Sequence, residues 1–214
     1  MFVYPIGVAE LGAYQASLFA GGEPTVNTTA TVVRHRLDEV CWVDVAAGWL
    51  RGADTLLFDL AGRLPWTCTR RRMYDRIVDE PRLSAACELG GSGTPPVIVA
   101  MVAALDARYD ERIDSVRVNY YRDGRDSVAW HSDRVGRTQS NPLVAIVSLG
   151  GPRRFLLRPR GGGRSRSFEP ASGDLLVMGG ACQHRWEHAV PKVTVAYPRM
   201  SVAFRRRELV TQSM

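Results

Sequence analysis

The C-terminal half of the chain is a series of short apolar runs separated by turn residues. From residue 116 onward these runs are VRVNYY, PLVAIVSLG, RRFLLRP, GDLLVMGG and RMSVAFRR. Runs of this length, bounded by such residues, are typical of β-strands, and five of them at this spacing indicate a β-sandwich or barrel. The 214 residues are enough for one large domain. We therefore expect a single domain, residues 1–214, with a β-barrel core over about residues 116–206.

Two helices are predicted before these strands. Apolar residues recur at three- and four-residue steps over Trp49–Leu60, which predicts an amphipathic helix that begins after Asp44 and ends near Gly62. A second helix is predicted over Pro95–Tyr109, because proline is favoured in the first turn of a helix. We expect residues 1–115 to form a helical, lid-bearing part. The predicted fold class is therefore α+β, with helices bracing a β-barrel.

A metal site is suggested by VAWHSDRVGR, where His131 and Asp133 stand two residues apart. In an extended strand both side chains point to the same side, about 7 Å apart along the backbone. Two histidines and one carboxylate form the facial triad of non-haem Fe(II) oxygenases. A second histidine would come from CQHRWEHAV, which holds His184 and His188. By itself the tripeptide also fits the polar end of a strand.

The last apolar run, PRMSVAFRR, alternates strictly. Met200, Val202 and Phe204 would lie on one face of a strand, with Arg199 and Arg205 on the other. Burying an unpaired arginine is costly, so two arginines on an inward face indicate bound carboxylates, which guanidinium groups hold bidentately. A solvated edge strand is the alternative.

A similar two-residue step places Asn119 and Tyr121 on one face of the strand VRVNYY. Their side chains are suited to hydrogen bonding in a core or to binding the same small dicarboxylate. The order Asn-x-Tyr, His-x-Asp, a distal His and two arginines six residues apart is much less expected by chance than any one of these pairs.

This ordered set resembles the AlkB family of Fe(II)/2-oxoglutarate-dependent dioxygenases, and the chain looks like a bacterial AlkB-like nucleic-acid dealkylation repair protein. The resemblance is strongest in GDLLVMGGACQHRWEHAVPK and PRMSVAFR and covers about residues 116–206. It implies a double-stranded β-helix, or jelly-roll, core. It also implies that His131, Asp133 and His188 hold the iron, whereas His184 matches no ligand.

The resemblance further implies a 2-oxoglutarate site. Asn119 and Tyr121 match the family pair that contacts 2-oxoglutarate. In the family motif Arg-x-Asn-x-Thr-x-Arg, the first arginine matches Arg199, which would grip the C5 carboxylate, and the last matches Arg205, near the end that chelates iron. Ser201 and Ala203 stand where the motif has Asn and Thr. These departures remove hydrogen-bonding capacity but keep both charges.

The implied reaction uses Fe(II), 2-oxoglutarate and O₂ to demethylate N-alkylated nucleobases in DNA, such as 1-methyladenine and 3-methylcytosine, in repair of alkylation damage. Family members that act on methylated bases often carry acidic residues just after the His-x-Asp pair. This chain has Arg134, Val135 and Gly136 there. The identity of the substrate is therefore less well specified than the chemistry.

Contacts to the substrate base are expected from aromatic and basic side chains, because a base that is flipped out of a duplex commonly stacks on aromatic side chains. The candidates are Trp66, Tyr74, Arg76 and Arg134.

A net charge of +6 and a pI near 9.5 favour an anionic partner, nucleic acid first. The four cysteines follow no metal or disulfide spacing. No apolar run approaches the ~20 residues that span a bilayer, and the N-terminus has no basic segment followed by an apolar one. We expect a cytoplasmic monomer. The alternative functions are a 2-oxoglutarate dioxygenase acting on RNA, protein or a small molecule, and a non-catalytic barrel that binds nucleic acid.

Overall fold

The computed structural model of the chain describes residues 3–4, 21–73, 76–91, 93–133 and 139–207, with backbone only for 3–4, 69–73 and 76–80. Within these ranges the chain forms three helices and fifteen strands. The helices are α1 (Ala53–Arg63), α2 (Pro96–Tyr109) and α3 (Cys182–Arg185). The strands are β1 (Val3–Tyr4), β2 (Thr25–Val26), β3 (Val33–Arg36), β4 (Cys41–Ala46), β5 (Leu50–Arg51), β6 (Trp66–Met73), β7 (Arg76–Cys87), β8 (Ser115–Tyr121), β9 (Val128–His131), β10 (Val144–Gly150), β11 (Phe155–Pro159), β12 (Arg166–Phe168), β13 (Leu175–Gly180), β14 (Trp186–Val190) and β15 (Arg199–Arg205).

Two antiparallel sheets form the core. The larger has the order β1-β6-β7-β8-β15-β10-β13-β4-β3 and the smaller has the order β12-β11-β14-β9, while β2 and β5 pair separately. From β8 onward successive strands alternate between the two sheets, with β11 and β12 both in the smaller one. This alternation is the topology of a double-stranded β-helix, as predicted.

The larger sheet separates two apolar clusters. One face packs on the helices: Leu57 of α1 and Ile98 of α2 belong to the same apolar cluster as Val202 of β15. The other face meets the smaller sheet, where Ala203 of β15 packs in one cluster with Phe155 of β11. The strict alternation of β15 thus places its even residues against the helices and its odd residues toward the space between the sheets.

The predicted helix after Asp44 begins later than expected. Cys41–Ala46 is a strand, and α1 begins only at Ala53, because Gly52 takes a left-handed conformation with φ of 64° that starts a new element. Trp49 and Leu50 therefore pack in the core from outside the helix. The second helix, Pro96–Tyr109, agrees with its prediction.

The part of the chain before residue 116 is less helical than expected. Five of its strands, β1, β3, β4, β6 and β7, join the larger sheet. β6 pairs with β7, and β7 pairs with β8. The two strands therefore extend the larger sheet beside the strand that carries Asn119 and Tyr121. In the described ranges, no helix is long and apolar enough to cross a membrane.

Candidate active site

A cavity of about 410 Å³ opens between the two sheets, and the side chains of β8 and β15 form one of its walls. In the antiparallel pairing of these strands Arg199 lies opposite Tyr121, and Ser201 lies opposite Asn119. All four side chains line the cavity, as does Arg205. The 2-oxoglutarate residues predicted from the sequence therefore share one surface.

The predicted metal ligands meet on the facing sheet. His131 ends β9 and is the register partner of His188 on β14, while Asp133 follows two residues after His131. Their ligand atoms all lie within 4.8 Å of one another. The imidazole centroids are 4.2 Å apart, and His131 Nε2 lies 3.9 Å from Asp133 Oδ1. Two histidines and one carboxylate at this spacing match the donor set of a facial triad.

The pKa values of these three groups are shifted toward the protonation states that bind a cation. Burial, with a smaller contribution from His131, lowers the pKa of His188 to about 3. Burial also lowers the pKa of His131, although Asp133 opposes the shift. Burial works against ionisation of Asp133, but Arg205 and the two histidines hold the pKa of Asp133 below its usual value. At neutral pH the site therefore offers two neutral imidazoles and one carboxylate.

Neighbouring groups fix the ligands in place. His131 Nδ1 lies 2.9 Å from the carbonyl oxygen of Ala129; because a carbonyl only accepts, this contact places the proton on Nδ1 and leaves the Nε2 lone pair available. The backbone N–H of Asp133 donates to Oε1 of Gln183 at 3.0 Å. The ring of Phe155 stacks on His188 with centroids 5.1 Å apart.

Arg199 is a buried cation in the same cavity. Only 1% of its surface is exposed, and its Nη2 donates to Ser148 Oγ at 3.0 Å. In the part of the chain that the structure describes, its Nε and Nη1 have no hydrogen-bond partner. Burial lowers the pKa of this guanidinium, and the face of Tyr121 lies 5.5 Å away. A buried fork with two unused donors fits a carboxylate ligand.

Other cavity residues lie between the three metal-ligand candidates and the buried Arg199. Arg205 Nη1 lies 3.4 Å from Asp133 Oδ1, so this arginine belongs to the metal end. Asn119 Nδ2 donates to Ser201 Oγ at 3.5 Å. The cavity thus joins a site for a divalent cation to a site for an anion.

Four contributors were missed at the sequence level. Arg82 lines the cavity and donates to Tyr121 Oη at 3.1 Å. The other three are Gln183, Ser148 and Phe155. Ser148 carried a usable signal, since it is the one polar residue in the apolar run VAIVSLG. The others acquire their roles through contacts with residues distant in the chain, which no local pattern shows.

Of the four residues predicted to contact the substrate base, the structure contradicts one and does not describe the side chains of the other three. Trp66 is wrong as a stacking residue: it is 0% exposed, packs in the core against Tyr120, and its indole N–H donates to the Ala61 carbonyl at 3.0 Å. Tyr74 and Arg134 lie outside the described residues, as do Val135, Gly136 and the side chain of Arg76. His184 is exposed on α3, with Nε2 3.0 Å from the Gln139 carbonyl oxygen, and does not join the ligand group.

Comparison with known proteins agrees with this geometry. Residues 79–207 match the model of the 2OG-Fe(II) oxygenase superfamily. The chain is 30% identical over 177 residues to mouse alpha-ketoglutarate-dependent dioxygenase alkB homolog 3, covering 73% of this chain and 62% of that protein. It is 28% identical over 184 residues to DNA oxidative demethylase ALKBH2 of Arabidopsis thaliana, covering 66% and 58%. The chain thus spans less than two thirds of the length of these curated relatives.

Solved structures show the same fold at low identity. OsALKBH1 superimposes with a TM-score of 0.59 at 15% identity, covering 82% of this chain and 100% of that one. A Trichoplax adhaerens prolyl hydroxylase in complex with a peptide fragment gives a TM-score of 0.52 at 13% identity, covering 76% and 82%. These likenesses confirm the predicted jelly-roll core. The family implies Fe(II), 2-oxoglutarate and O₂, and the triad and the buried Arg199 fork fit that set. The chain belongs to the 2OG-Fe(II) oxygenase superfamily and is related to its AlkB members.

Proposed function

We propose that the protein is an Fe(II)/2-oxoglutarate-dependent oxidative demethylase of N-alkylated nucleobases in DNA. One observation carries the proposal: the cavity that holds the His131, Asp133 and His188 triad also holds the buried, incompletely paired Arg199. A barrel that only binds nucleic acid needs neither feature, and an unpaired buried charge costs stability unless a ligand uses it.

The chain's own residues would do the binding and positioning. His131, Asp133 and His188 hold the metal, and three protein donors leave its other positions open for substrates. Arg199 holds the far carboxylate of 2-oxoglutarate bidentately. Asn119 and Ser201 lie between that arginine and the metal end and supply polar contacts to the cosubstrate. When bound, the iron and its cosubstrates supply the oxidising chemistry that removes the methyl group.

Arg205 has a second role in this arrangement. Its guanidinium lies 3.4 Å from Asp133 and keeps that carboxyl ionised, so the ligand is ready without loss of a proton. Asp133 in turn partly neutralises Arg205. The pair therefore stabilises the charged form of the site before metal binds.

Nucleic acid as the partner is supported by charge. The chain carries 28 basic and 22 acidic residues. Ser132 lines the cavity and accepts a hydrogen bond from exposed Arg160. A basic group beside the cavity suits contact with the phosphate backbone of a strand whose base is turned out of the stack. The names of the curated relatives point to the same class of substrate. Cytoplasmic location and monomeric state stay predictions.

The test is turnover with defined substrates. Protein purified without oxygen is supplied with Fe(II), 2-oxoglutarate and O₂, with and without DNA oligonucleotides that carry one N-methylated base, 1-methyladenine, 3-methylcytosine, 1-methylguanine or 3-methylthymine. We expect succinate and formaldehyde in step with loss of 14 mass units from the oligonucleotide, and neither with unmodified DNA. The variant Asp133→Asn is the inactive control.

Three results would contradict the proposal. Succinate formation that no methylated DNA stimulates would exclude a DNA demethylase, and stimulation by the matched RNA oligonucleotides alone would move the substrate to RNA. Absence of succinate together with absence of metal binding would favour the non-catalytic barrel.

A further inference from the structure

The described walls of the active-site cavity carry more positive than negative charge. They contain one acid, Asp133, and four arginines, Arg82, Arg117, Arg199 and Arg205. In the proposed function Arg199 is matched by a cosubstrate carboxylate, Arg205 pairs with Asp133, and Arg82 donates to Tyr121. Arg117 has no hydrogen bond or ion pair to any part of the chain that the structure describes. The described part of the chain therefore leaves its charge available to a ligand.

The sheet register places Arg117 at the open side of this cavity. Arg117 lies on β8, on the same face as Asn119. Its partners on the two flanking strands are Ala203 of β15 and Ala86 of β7. Both neighbours are small, so the guanidinium is flanked by space rather than by side chains that could pair with it. Arg117 is exposed, whereas Asn119 is buried.

A guanidinium is a donor-only cation, and this restricts which methylated base it can accept. Adenine methylated at N1 and cytosine methylated at N3 are cations, and both carry an exocyclic amino group beside the methylated nitrogen. Guanine methylated at N1 and thymine methylated at N3 are neutral, and at position 6 of the purine or position 4 of the pyrimidine they carry a carbonyl oxygen where the cationic bases carry the amino group. Arginine donates to such oxygens and repels a like charge.

We propose that Arg117 is a specificity-determining residue that favours the neutral lesions 1-methylguanine and 3-methylthymine over the cationic 1-methyladenine and 3-methylcytosine. This inference rests on the proposed function, since it concerns the choice among methylated bases in the same cavity. The absence of any second acid from the described cavity walls supports it, because Asp133 is already engaged by Arg205.

The test compares Arg117→Met with Arg112→Met, which removes the same charge from an exposed residue that does not line the cavity. Binding of the four single-lesion oligonucleotides is measured by fluorescence anisotropy with Fe(II) and 2-oxoglutarate under anaerobic conditions, so that no turnover occurs. Demethylation rates are then measured in air. We expect Arg117→Met to change the ratio of affinities, neutral over cationic, by about tenfold toward the cationic lesions, and Arg112→Met to leave it unchanged.

The variant Arg117→Lys separates charge from shape. It keeps the positive charge, so we expect its ratio to stay within about threefold of the wild type. Equal ratios in Arg117→Met and wild type would overturn the inference while demethylation itself persists. If Arg117→Lys behaves like Arg117→Met, the inference stands and the discrimination comes from the planar donors of the guanidinium rather than from its charge. If no lesion is bound better than unmodified DNA and none is demethylated, the proposed function fails instead.

Discussion

The side chain of Gln183 accepts a hydrogen bond at 3.0 Å from the backbone N–H of Asp133, a residue 50 positions earlier. Gln183 is 4% exposed and lies on α3, directly before the strand that carries His188. The bond therefore connects the segment with the carboxylate ligand to the segment with the distal histidine. Together with the β9–β14 pairing, which places His131 opposite His188, it fixes the position of Asp133 relative to the distal histidine.

Replacing Gln183 with methionine should weaken metal binding. Methionine keeps the length of the side chain but does not replace the strong amide acceptor, so the Asp133 segment loses its anchor. We expect the affinity for Fe(II) or Mn(II), measured by anaerobic calorimetry, to fall about tenfold or more. An unchanged metal affinity in a folded variant would show that Gln183 only fills space.

The two histidines of CQHRWEHAV should behave differently. His188→Ala removes a buried ligand candidate, and we expect loss of both metal binding and turnover. His184→Ala removes an exposed side chain on α3, so the variant should keep at least half of both. Metal titration of the two variants side by side makes the comparison, and the reverse outcome would assign the wrong histidine to the site.

Replacing Arg199 with methionine should separate stability from cosubstrate binding. The change removes a buried cation whose Nε and Nη1 have no partner in the described part of the chain. We expect the ligand-free protein to become more stable by about 1 kcal/mol or more. Binding of 2-oxoglutarate, followed by calorimetry, should weaken at least a hundredfold. A less stable variant that still binds 2-oxoglutarate normally would contradict both expectations.

A matched pair of adjacent arginines tests how the loops that flank the ligand strands are held. Buried Arg153 donates to the carbonyls of Asp123 at 2.9 Å, Asp126 at 2.8 Å and Pro191 at 2.7 Å, which lie before β9 and after β14. Arg153→Met leaves these carbonyls without their donor and should lower the free energy of unfolding by about 3 kcal/mol. Exposed Arg154→Met should change it by at most about 0.5 kcal/mol. Urea denaturation of both variants measures the difference, and equal effects would refute this role.

Acid should weaken the contact between Asp38 and Trp186. Burial works to raise the pKa of Asp38, but hydrogen bonds from the Trp186 indole at 2.8 Å, from the backbone N–H of Val40 and from the Cys41 side chain lower it to about 2. Because the folded pKa is below the unfolded value near 3.8, this stabilisation is complete above pH 3.8 and is lost as the pH falls toward 2.

The variant Asp38→Asn isolates that contribution. We expect it to be less stable than the wild type by about 1–2 kcal/mol at pH 6, with the difference shrinking below pH 3.8. Denaturation midpoints measured from pH 6 to pH 2.5 follow the difference. A difference that stays constant over this range would mean that the ionised carboxylate contributes nothing.

The candidate site was largely predictable because most of its residues lie on strands, where successive side chains alternate between the two faces. Arg199 and Arg205 share a face of β15 whatever lies beside that strand, and the same holds for Asn119 and Tyr121 on β8. Trp66 was mispredicted because an aromatic residue next to a basic segment has the same local pattern in a core as at a binding surface. Its burial depends on contacts with Ala61 and Tyr120.

By itself, the sequence determined the strand faces, the second helix and the identity of the ligand candidates. These follow from residue type and from the side-chain period, which is two residues in a strand and 3.6 residues in a helix. Only the tertiary structure decided which strands are neighbours. That pairing placed His188 opposite His131, buried Arg199 with two donors that no described residue uses, and set Arg117 between two alanines at the cavity. The physical reason is that hydrogen-bonded register joins residues far apart in the chain, and the charges and donors of a site depend on those distant partners.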